Sequence, residues 1–281
     1  KKNKLISQLE KEITLRYLKT RKKDGFLNII SIFSFIGISL GVAVLIIVMS
    51  VMNGFRTELV DKIVGFNPHA VIKTYDLPIN ENLFKNSSLI NLSETFVYSN
   101  SGEGVLINKD YTKGLLLRGY LAKDFEKLSI VKNANFYGNR KLNPKFISIG
   151  KELSFNYNIE VGDKVLIMSP NGVETIIGNL PKQETYIVDS IFDSEIADFD
   201  LNVAFINLND LESFFNLKKD KRNLEIYLKN PKSIEATKKK LEIIFEDYYT
   251  HTWSDLNKSL FSALKVERNV MFIILSLIII V

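Results

Sequence analysis

The chain has 281 residues, no cysteine, 46% hydrophobic residues and a formal net charge of +5. The lack of cysteine excludes a disulfide framework and a thiolate metal site. The excess positive charge lies at the N-terminus and acids balance the basic residues elsewhere, so the charge pattern does not favour nucleic-acid binding.

The first 25 residues form a basic segment, with nine Lys or Arg against three acidic residues. Within it, residues 5–20 place apolar side chains at helical spacing and predict an amphipathic helix on a membrane surface. Because Lys and Arg concentrate on the cytoplasmic side of a membrane span, this segment predicts a cytoplasmic N-terminus.

Residues 26–55 predict a transmembrane helix, because no charged residue occurs from Gly25 to Phe55. A span needs roughly 20 apolar residues. A soluble core helix of this length would keep a polar face, and the apolar core of a cleaved signal peptide would be shorter. Gly37 and Gly41 have the four-residue spacing that lets another helix approach closely, which predicts a helix–helix contact.

Residues 56–268 predict an extracytoplasmic domain that is long enough to bury its own core. Alternating apolar residues predict strands at 69–75, 94–99, 104–109, 113–120, 145–150, 164–168, 185–191, 201–208 and 223–229, and a short strand is predicted at 249–253. Asn207 or Asn209 predicts the N-cap of a short helix, and residues 231–248 predict an amphipathic helix.

The order of these elements predicts the domain organisation. Similar strand and helix patterns at both ends indicate a split α+β part, 56–105 and 222–262, around a β-rich insertion, 106–221. Residues 269–281 are uncharged and predict the start of a second transmembrane helix that continues beyond residue 281. The expected fold class is therefore an α+β membrane protein whose transmembrane helices bracket the domain.

One connection within the insertion is unusually long, since sixteen residues, 169–184, separate two predicted strands. Tight hairpins use about two to five residues, and longer loops are often functional. The connection contains the apolar pair Ile176 and Ile177, followed by Gly178 at a predicted turn and Pro181 near its end. Exposed apolar residues at a loop tip are typical of a partner-binding arm. The alternative is an ordinary long hairpin whose tip packs on the domain.

Catalytic and metal-binding patterns are absent from the sequence. No phosphate-binding loop, nucleophile elbow or dinucleotide fingerprint occurs, so we predict no catalytic residue, no metal and no cofactor in this chain. The histidines His69 and His251 lack ligand spacing and are expected at the surface or its boundary. An acidic surface turn, with a calcium site or a catalytic acid pair as the alternative, is predicted at Asp193, Glu195, Asp198 and Asp200.

Several segments resemble the LolC/LolE family, the permease subunits of the lipoprotein-releasing ABC transporter within the MacB/FtsX-like superfamily. The segments are "IGISLGV" and "SVMNGF" in the first apolar run, "GLLLRGY", "IGKEL" with "VGDKV", and "LFSALKVERNVMFIILSLI". They occur in the family's order, and the resemblance covers the whole chain.

This resemblance implies a multi-pass bacterial inner-membrane protein with a periplasmic domain and four spans in all. The implied partners are LolD-type ATPase subunits that bind ATP and Mg, and a second LolC/LolE-type permease in a homo- or heterodimer. A lipoprotein substrate, membrane lipid and a LolA-type periplasmic carrier complete the set, without nucleic acid. This chain itself would be a non-catalytic subunit.

The resemblance also assigns residue roles. The family's carrier-binding hairpin loop falls on residues 169–184, where Gly178 and Pro181 match the G-x-x-P spacing and Gln183 matches a polar contact. Ile176 stands where the family usually has proline, and Ile177 adds an apolar contact. The acyl chains of the lipoprotein would contact Val44, Val48 and Met52 on one face of the first span.

Two other functions remain open at this point. A MacB/FtsX-like mechanotransmission permease would couple ATP hydrolysis to a periplasmic partner and would lack the long arm. A two-span receptor with a periplasmic ligand-binding domain would need no further spans. Within the family, a LolE-type subunit that does not engage the carrier through this loop is also open.

Overall fold

The computed structural model describes residues 8–18, 25–74, 77–108, 111–133, 135–169, 173–175 and 178–280. The chain divides into two compact units, one formed by residues 1–58 and 259–281 and the other by residues 59–258. The described α-helices are α1 (Gln8–Leu18), α2 (Gly25–Phe66), α3 (Ser87–Leu92), α4 (Ala122–Phe125), α5 (Ser129–Lys132), α6 (Lys151–Tyr157), α7 (Ala197–Asn202), α8 (Leu208–Phe215), α9 (Ile234–Ile244), α10 (Trp253–Leu256) and α11 (Lys258–Ile280).

The strands follow the predicted positions closely and add three short ones. They are β1 (Ala70–Lys73), β2 (Ser93–Asn108), β3 (Tyr111–Tyr120), β4 (Tyr137–Gly138), β5 (Phe146–Gly150), β6 (Lys164–Met168), β7 (Val173–Thr175), β8 (Gly178–Leu180), β9 (Gln183–Phe192), β10 (Val203–Asn207), β11 (Asn223–Leu228) and β12 (Tyr249–Thr252). Short 3₁₀ helices occupy Glu81–Lys85, Lys219–Lys221 and Pro231–Ser233.

Helix α2 has 42 residues and contains the predicted span. A stretch from Ile29 to Phe66 is long and apolar enough to cross a membrane, and only 6% of its most apolar window is buried within the chain. A core helix of a soluble protein would be mostly buried, so this exposure favours contact with lipid. The helix runs past residue 55 because residues 56–66 keep apolar side chains at helical spacing, and Ile63, Val64 and Phe66 are buried in the second unit.

Six strands of the second unit form a closed ring. The hydrogen-bonded order is β2, β3, β10, β5, β9 and β6, and β6 pairs with β2 as well as β9. Closure removes exposed edges from these strands. The interior holds one apolar cluster with side chains from all six strands, among them Leu106, Leu117, Ile149, Ile167 and Val188.

The remaining long strands extend the sheet from β2 in the order β11, β1 and β12. These strands come from both ends of the domain sequence, so segments near residue 70 and residue 250 lie side by side, as the register Ala70 with Thr252 records. A second, aromatic-rich cluster contains Phe66, Phe125 and Phe205. It packs the last residue of α2 against the sheet.

Two details of the prediction can be compared with the structure. The N-cap at Asn207 is confirmed, since its side chain accepts a hydrogen bond from the backbone N–H of Asn209. The two separate strands predicted at 94–99 and 104–109 are wrong, because β2 is continuous through Gly102 and pairs there with Leu117 of β3. A Cβ at Gly102 would lie 2.6 Å from the Phe215 ring, so the glycine provides room for that ring instead of a turn.

Candidate functional site

The unit formed by residues 1–58 and 259–281 contains a groove between α2 and α11, with a cavity volume of about 420 Å³. The groove is lined by Ile46, Met49, Ser50, Met52, Asn53, Arg56, Leu264, Glu267, Arg268 and Met271. Three of the chain's four methionines are in this lining. Methionine is unbranched and polarizable, so it adapts to irregular apolar ligands.

The charged residues of the lining lie where the uncharged sequence runs end. Arg56 is the first charged residue after the run 25–55, and Arg268 is the last before the run 269–281. Arg56, Glu267 and Arg268 form no ion pair with one another or with any other residue that the structure describes. The groove therefore offers an apolar wall together with unpaired charges.

Only one of the three predicted acyl-chain residues lies in the groove lining. Met52 lines the groove, whereas Val44 and Val48 are 50% and 38% exposed and do not. A Cβ added at Gly37 or Gly41 would meet no atom of the described residues within 4 Å. The helix–helix contact predicted at these glycines is not made among the residues that the structure describes, so it stays a prediction for a partner subunit.

The predicted arm continues the β6–β9 hairpin. These strands pair up to Met168 and Gln183, and the backbone N–H of Ser169 donates to the carbonyl of Lys182 at 2.8 Å. Further along, β7 pairs with β8 in a separate two-stranded sheet. The described part of the connection therefore forms a second two-stranded ribbon and not a structureless loop.

The predicted contact residues take different places in this arm. Gly178 begins β8, Pro181 is exposed between β8 and β9, and Gln183 is the exposed first residue of β9. Ile176 and Ile177 link β7 to β8 in the chain and lie outside the described residues.

The base of the arm is held by polar contacts. The ammonium of Lys182 donates to the carbonyl of Ser213 at 2.6 Å, and the ammonium of Lys145 donates to Glu184 at 2.6 Å. The hydroxyl of Tyr186 also donates to Glu184. These contacts attach residues 182–186 to α8 and to Lys145, directly before β5, so the base of the arm is anchored to the domain.

A buried polar network, which sequence reasoning missed, lies where α2 meets the sheet. The carboxylate of Glu225 on β11 accepts hydrogen bonds from Ser99, Arg118, Tyr120 and Tyr227 at 2.7 to 3.2 Å. Burial raises the pKa of Tyr120 and of Tyr227, so both hydroxyls stay protonated donors. The sequence signal for this network was one charged residue within the apolar pattern of each of two strands, Arg118 in β3 and Glu225 in β11.

The same junction contains His69, whose predicted surface or boundary position is wrong. His69 is only 7% exposed, its Nδ1 accepts from the backbone N–H of Leu228 at 2.6 Å, and its Nε2 lies 3.0 Å from the carbonyl of Val64. These partners require a neutral ring with hydrogen on Nε2. Burial lowers the pKa of His69, which favours that neutral form.

The predicted acidic turn, residues 193–200, does not form a single site, because its carboxylates contact different partners. Asp193 accepts from Lys151 at 2.9 Å, and Glu195 lies 3.4 Å from Lys62. Asp200 is buried and accepts from the backbone and hydroxyl of Ser194, and burial raises its pKa to about 6. In the part of the chain that the structure describes, no three His, Asp or Glu side chains converge as a metal site would require.

Comparison with known proteins identifies relatives over nearly the whole chain, although no family model matches it. The lipoprotein-releasing system transmembrane protein LolC of Neisseria meningitidis is 31% identical, covering 96% of this chain and 67% of the relative. LolC of Buchnera aphidicola from Acyrthosiphon pisum is 30% identical over 94% of this chain and 66% of the relative. LolE of Haemophilus influenzae is 26% identical, covering 95% of this chain and 66% of the relative.

Solved structures show weaker similarity. The periplasmic region of MacB from Actinobacillus actinomycetemcomitans has a TM-score of 0.43 and 11% identity, covering 71% of this chain and 95% of that chain. The extracellular domain of the transporter YknZ from Gram-positive bacteria has a TM-score of 0.40 and 10% identity, covering 64% of this chain and 94% of that chain. Structural similarity at this level is too low to support a functional assignment.

Proposed function

Because the chain belongs to the LolC/LolE family of lipoprotein-releasing transmembrane proteins, we propose that its groove receives lipoprotein acyl chains and its arm receives a periplasmic carrier. As a family member the chain is a permease subunit of a lipoprotein-releasing transporter. The observation that carries the proposal is that the groove between α2 and α11 contains three of the four methionines.

The groove suits an acyl chain for a physical reason. Each methylene that leaves water contributes about 0.8 kcal/mol, so a long chain gains most in a continuous apolar wall. Met49, Met52 and Met271 form such a wall and can adjust to chains of different length. Val44 and Val48 would add acyl-chain contacts on the same helix in the assembled permease pair.

The arm suits a docking role because its base is anchored while β7 and β8 form a ribbon of their own. We assign carrier contact to Ile176, Ile177, Gly178, Pro181 and Gln183. The carrier would be a soluble LolA-type protein that covers the acyl chains after release.

The remaining assignments complete the transporter. The N-terminus would be cytoplasmic, the unit 59–258 periplasmic, and the protein multi-pass in the inner membrane. LolD-type ATPase subunits would bind ATP and Mg, and a second LolC/LolE-type permease would contact Gly37 and Gly41. Within the domain, a split α+β part, 56–105 and 222–262, would flank the β-rich insertion, 106–221.

Site-specific photocrosslinking in cells tests both roles in the full-length protein. A crosslinker at Met52 should capture an acylated lipoprotein, and one at Ile47, an exposed position outside the groove lining, should not. Equal capture from both positions would contradict the groove assignment.

Crosslinkers at Ile176 and Ile177 should capture a LolA-type carrier, and one at Lys239 on α9 should not. If the assembled protein releases lipoproteins but the arm captures no carrier, the chain acts as a LolE-like subunit. If neither the groove nor the arm captures its partner, a mechanotransmission role replaces the proposal.

A further inference from the structure

The unpaired charges of the groove have no role in holding an acyl chain. Arg56 and Arg268 supply two positive charges and Glu267 one negative charge, all lining the same cavity as the methionines. No ion pair neutralises them among the residues that the structure describes. The cavity therefore combines an apolar wall with a net positive charge.

The position of these charges in the sequence relates them to the membrane surface. Arg56 follows the uncharged run 25–55 and Arg268 precedes the uncharged run 269–281. The boundary of an apolar span is where phospholipid headgroups begin. Both guanidinium groups are thus expected at the level of the lipid phosphates.

The chemistry of this arrangement selects an amphiphile with an anionic head. Guanidinium groups bind phosphate oxygens through charge-assisted, often bidentate hydrogen bonds. The methionine wall accepts the acyl chain of the same molecule. A lipoprotein anchor is a diacylglyceryl thioether without phosphate, so it would satisfy the wall but leave the arginines unpaired.

We propose that a membrane glycerophospholipid occupies the groove when no cargo is bound, with its phosphate at Arg56 and Arg268. The net positive charge favours an anionic headgroup, and phosphatidylglycerol is the simplest example. The loading of cargo, which rests on the function proposed above, then requires that this lipid be displaced.

Native mass spectrometry of the complete transporter, solubilised in mild detergent and incubated with phosphatidylglycerol, tests the proposal. The double variant Arg56→Gln/Arg268→Gln should retain this lipid about tenfold more weakly than wild type, because each arginine supplies a charge-assisted bond. Glu267→Gln should retain it as well as wild type or better, because the local positive charge rises.

Lys265→Gln is the matched control, since Lys265 is an exposed cation on α11 outside the groove lining. It should retain the lipid like wild type. Equal retention by the double variant and wild type would overturn the proposal, and so would loss of retention in Glu267→Gln. Displacement of the lipid by glycerol phosphate at equal concentration would also overturn it, because the site would then recognise a soluble phosphate.

The proposed function and this inference fail in different ways. If Met52 crosslinks no lipoprotein while phosphatidylglycerol retention still depends on the two arginines, the cargo role fails and the lipid site stands. If Met52 crosslinks lipoprotein while the arginine variants retain lipid normally, the lipid site fails and the cargo role stands.

Discussion

Glu225 lies at the centre of the buried polar network. Its carboxylate accepts from four side chains, and the charged one among them is the guanidinium of Arg118 at 3.0 Å. Arg118 also lies 3.5 Å from the amide oxygen of Asn67, directly after α2. A satisfied network of this kind favours one geometry, because each alternative leaves a buried charge unpaired.

Replacing Arg118 with Met should therefore lower the free energy of unfolding by about 3–5 kcal/mol, since the Glu225 carboxylate loses its buried counter-charge. Urea unfolding of the full-length protein in detergent, followed by pulse proteolysis, measures the change. Arg140→Met, at an exposed position, should change stability by less than about 0.5 kcal/mol. Equal effects from the two substitutions would contradict the role of the network.

His69 should make stability depend on pH. Its pKa in the folded protein lies below the usual 6.5, so the unfolded chain binds the proton more readily. The stabilisation is present above pH 6.5 and is lost as the pH falls from there toward the folded-state pKa.

His69→Gln should flatten this loss, measured by urea unfolding between about pH 7.5 and 5.5. His251→Gln is the matched control, because the chain has two histidines, and it should keep the wild-type slope. An unchanged slope in His69→Gln would show that other groups cause the acid sensitivity.

At the scale of elements, close approach decides where helices pack on strands. Gly150 ends β5 directly before α6, and a Cβ there would lie 2.6 Å from the backbone carbonyl carbon of Asp200 on α7. Its φ of −77° is open to any residue. The glycine is required for space between β5 and α7 and not for backbone conformation.

Gly150→Ala should thus destabilise the protein by about 1–3 kcal/mol, because the extra methyl group forces α7 away from β5. Gly114→Ala, within β3, provides the comparison, since a Cβ there would meet no atom of the described residues within 4 Å. That variant should be neutral or slightly stabilised, by up to about 1 kcal/mol. Thermal unfolding of both variants distinguishes them, and similar melting temperatures would refute the packing argument.

At the scale of the molecule, the arm should be separable from the fold. Ser169 and Lys182 are joined by a backbone hydrogen bond, so residues 170–181 can be replaced by an Asn-Gly turn without breaking the β6–β9 pairing. The shortened protein should keep its melting temperature and its lipoprotein crosslink at Met52.

The same variant should fail to transfer lipoprotein to a LolA-type carrier in spheroplasts, because four of the five proposed contact residues, Ile176, Ile177, Gly178 and Pro181, are removed. Replacing residues 109–110, which connect β2 to β3 in the chain, by Asn-Gly serves as the control and should transfer normally. Normal transfer by the shortened arm would contradict the docking role.

The predictions that depend on neighbouring residues agree best with the structure. The long apolar helix, most strands and the cap at Asn207 follow from contiguous runs, alternation and local hydrogen bonding. The strand break predicted near Gly102 was wrong, because this glycine makes room for the ring of Phe215. That ring lies more than a hundred positions away in the sequence. Val44 and Val48 lie outside the groove lining because of where α11 packs. The spacing of apolar residues in α2 does not predict that packing.

By itself the sequence determined the apolar helix, the strand-rich domain and the family, since hydropathy and local motifs act over a few residues. Only the tertiary structure decided that β6 closes a ring, that three methionines share one groove, and that His69 is buried and neutral. Arg118 and Glu225 are separated by 107 positions, so their pairing exists only after the strands between them have found their register. Contacts of this kind depend on the complete fold, because burial and charge pairing are properties of neighbours in space.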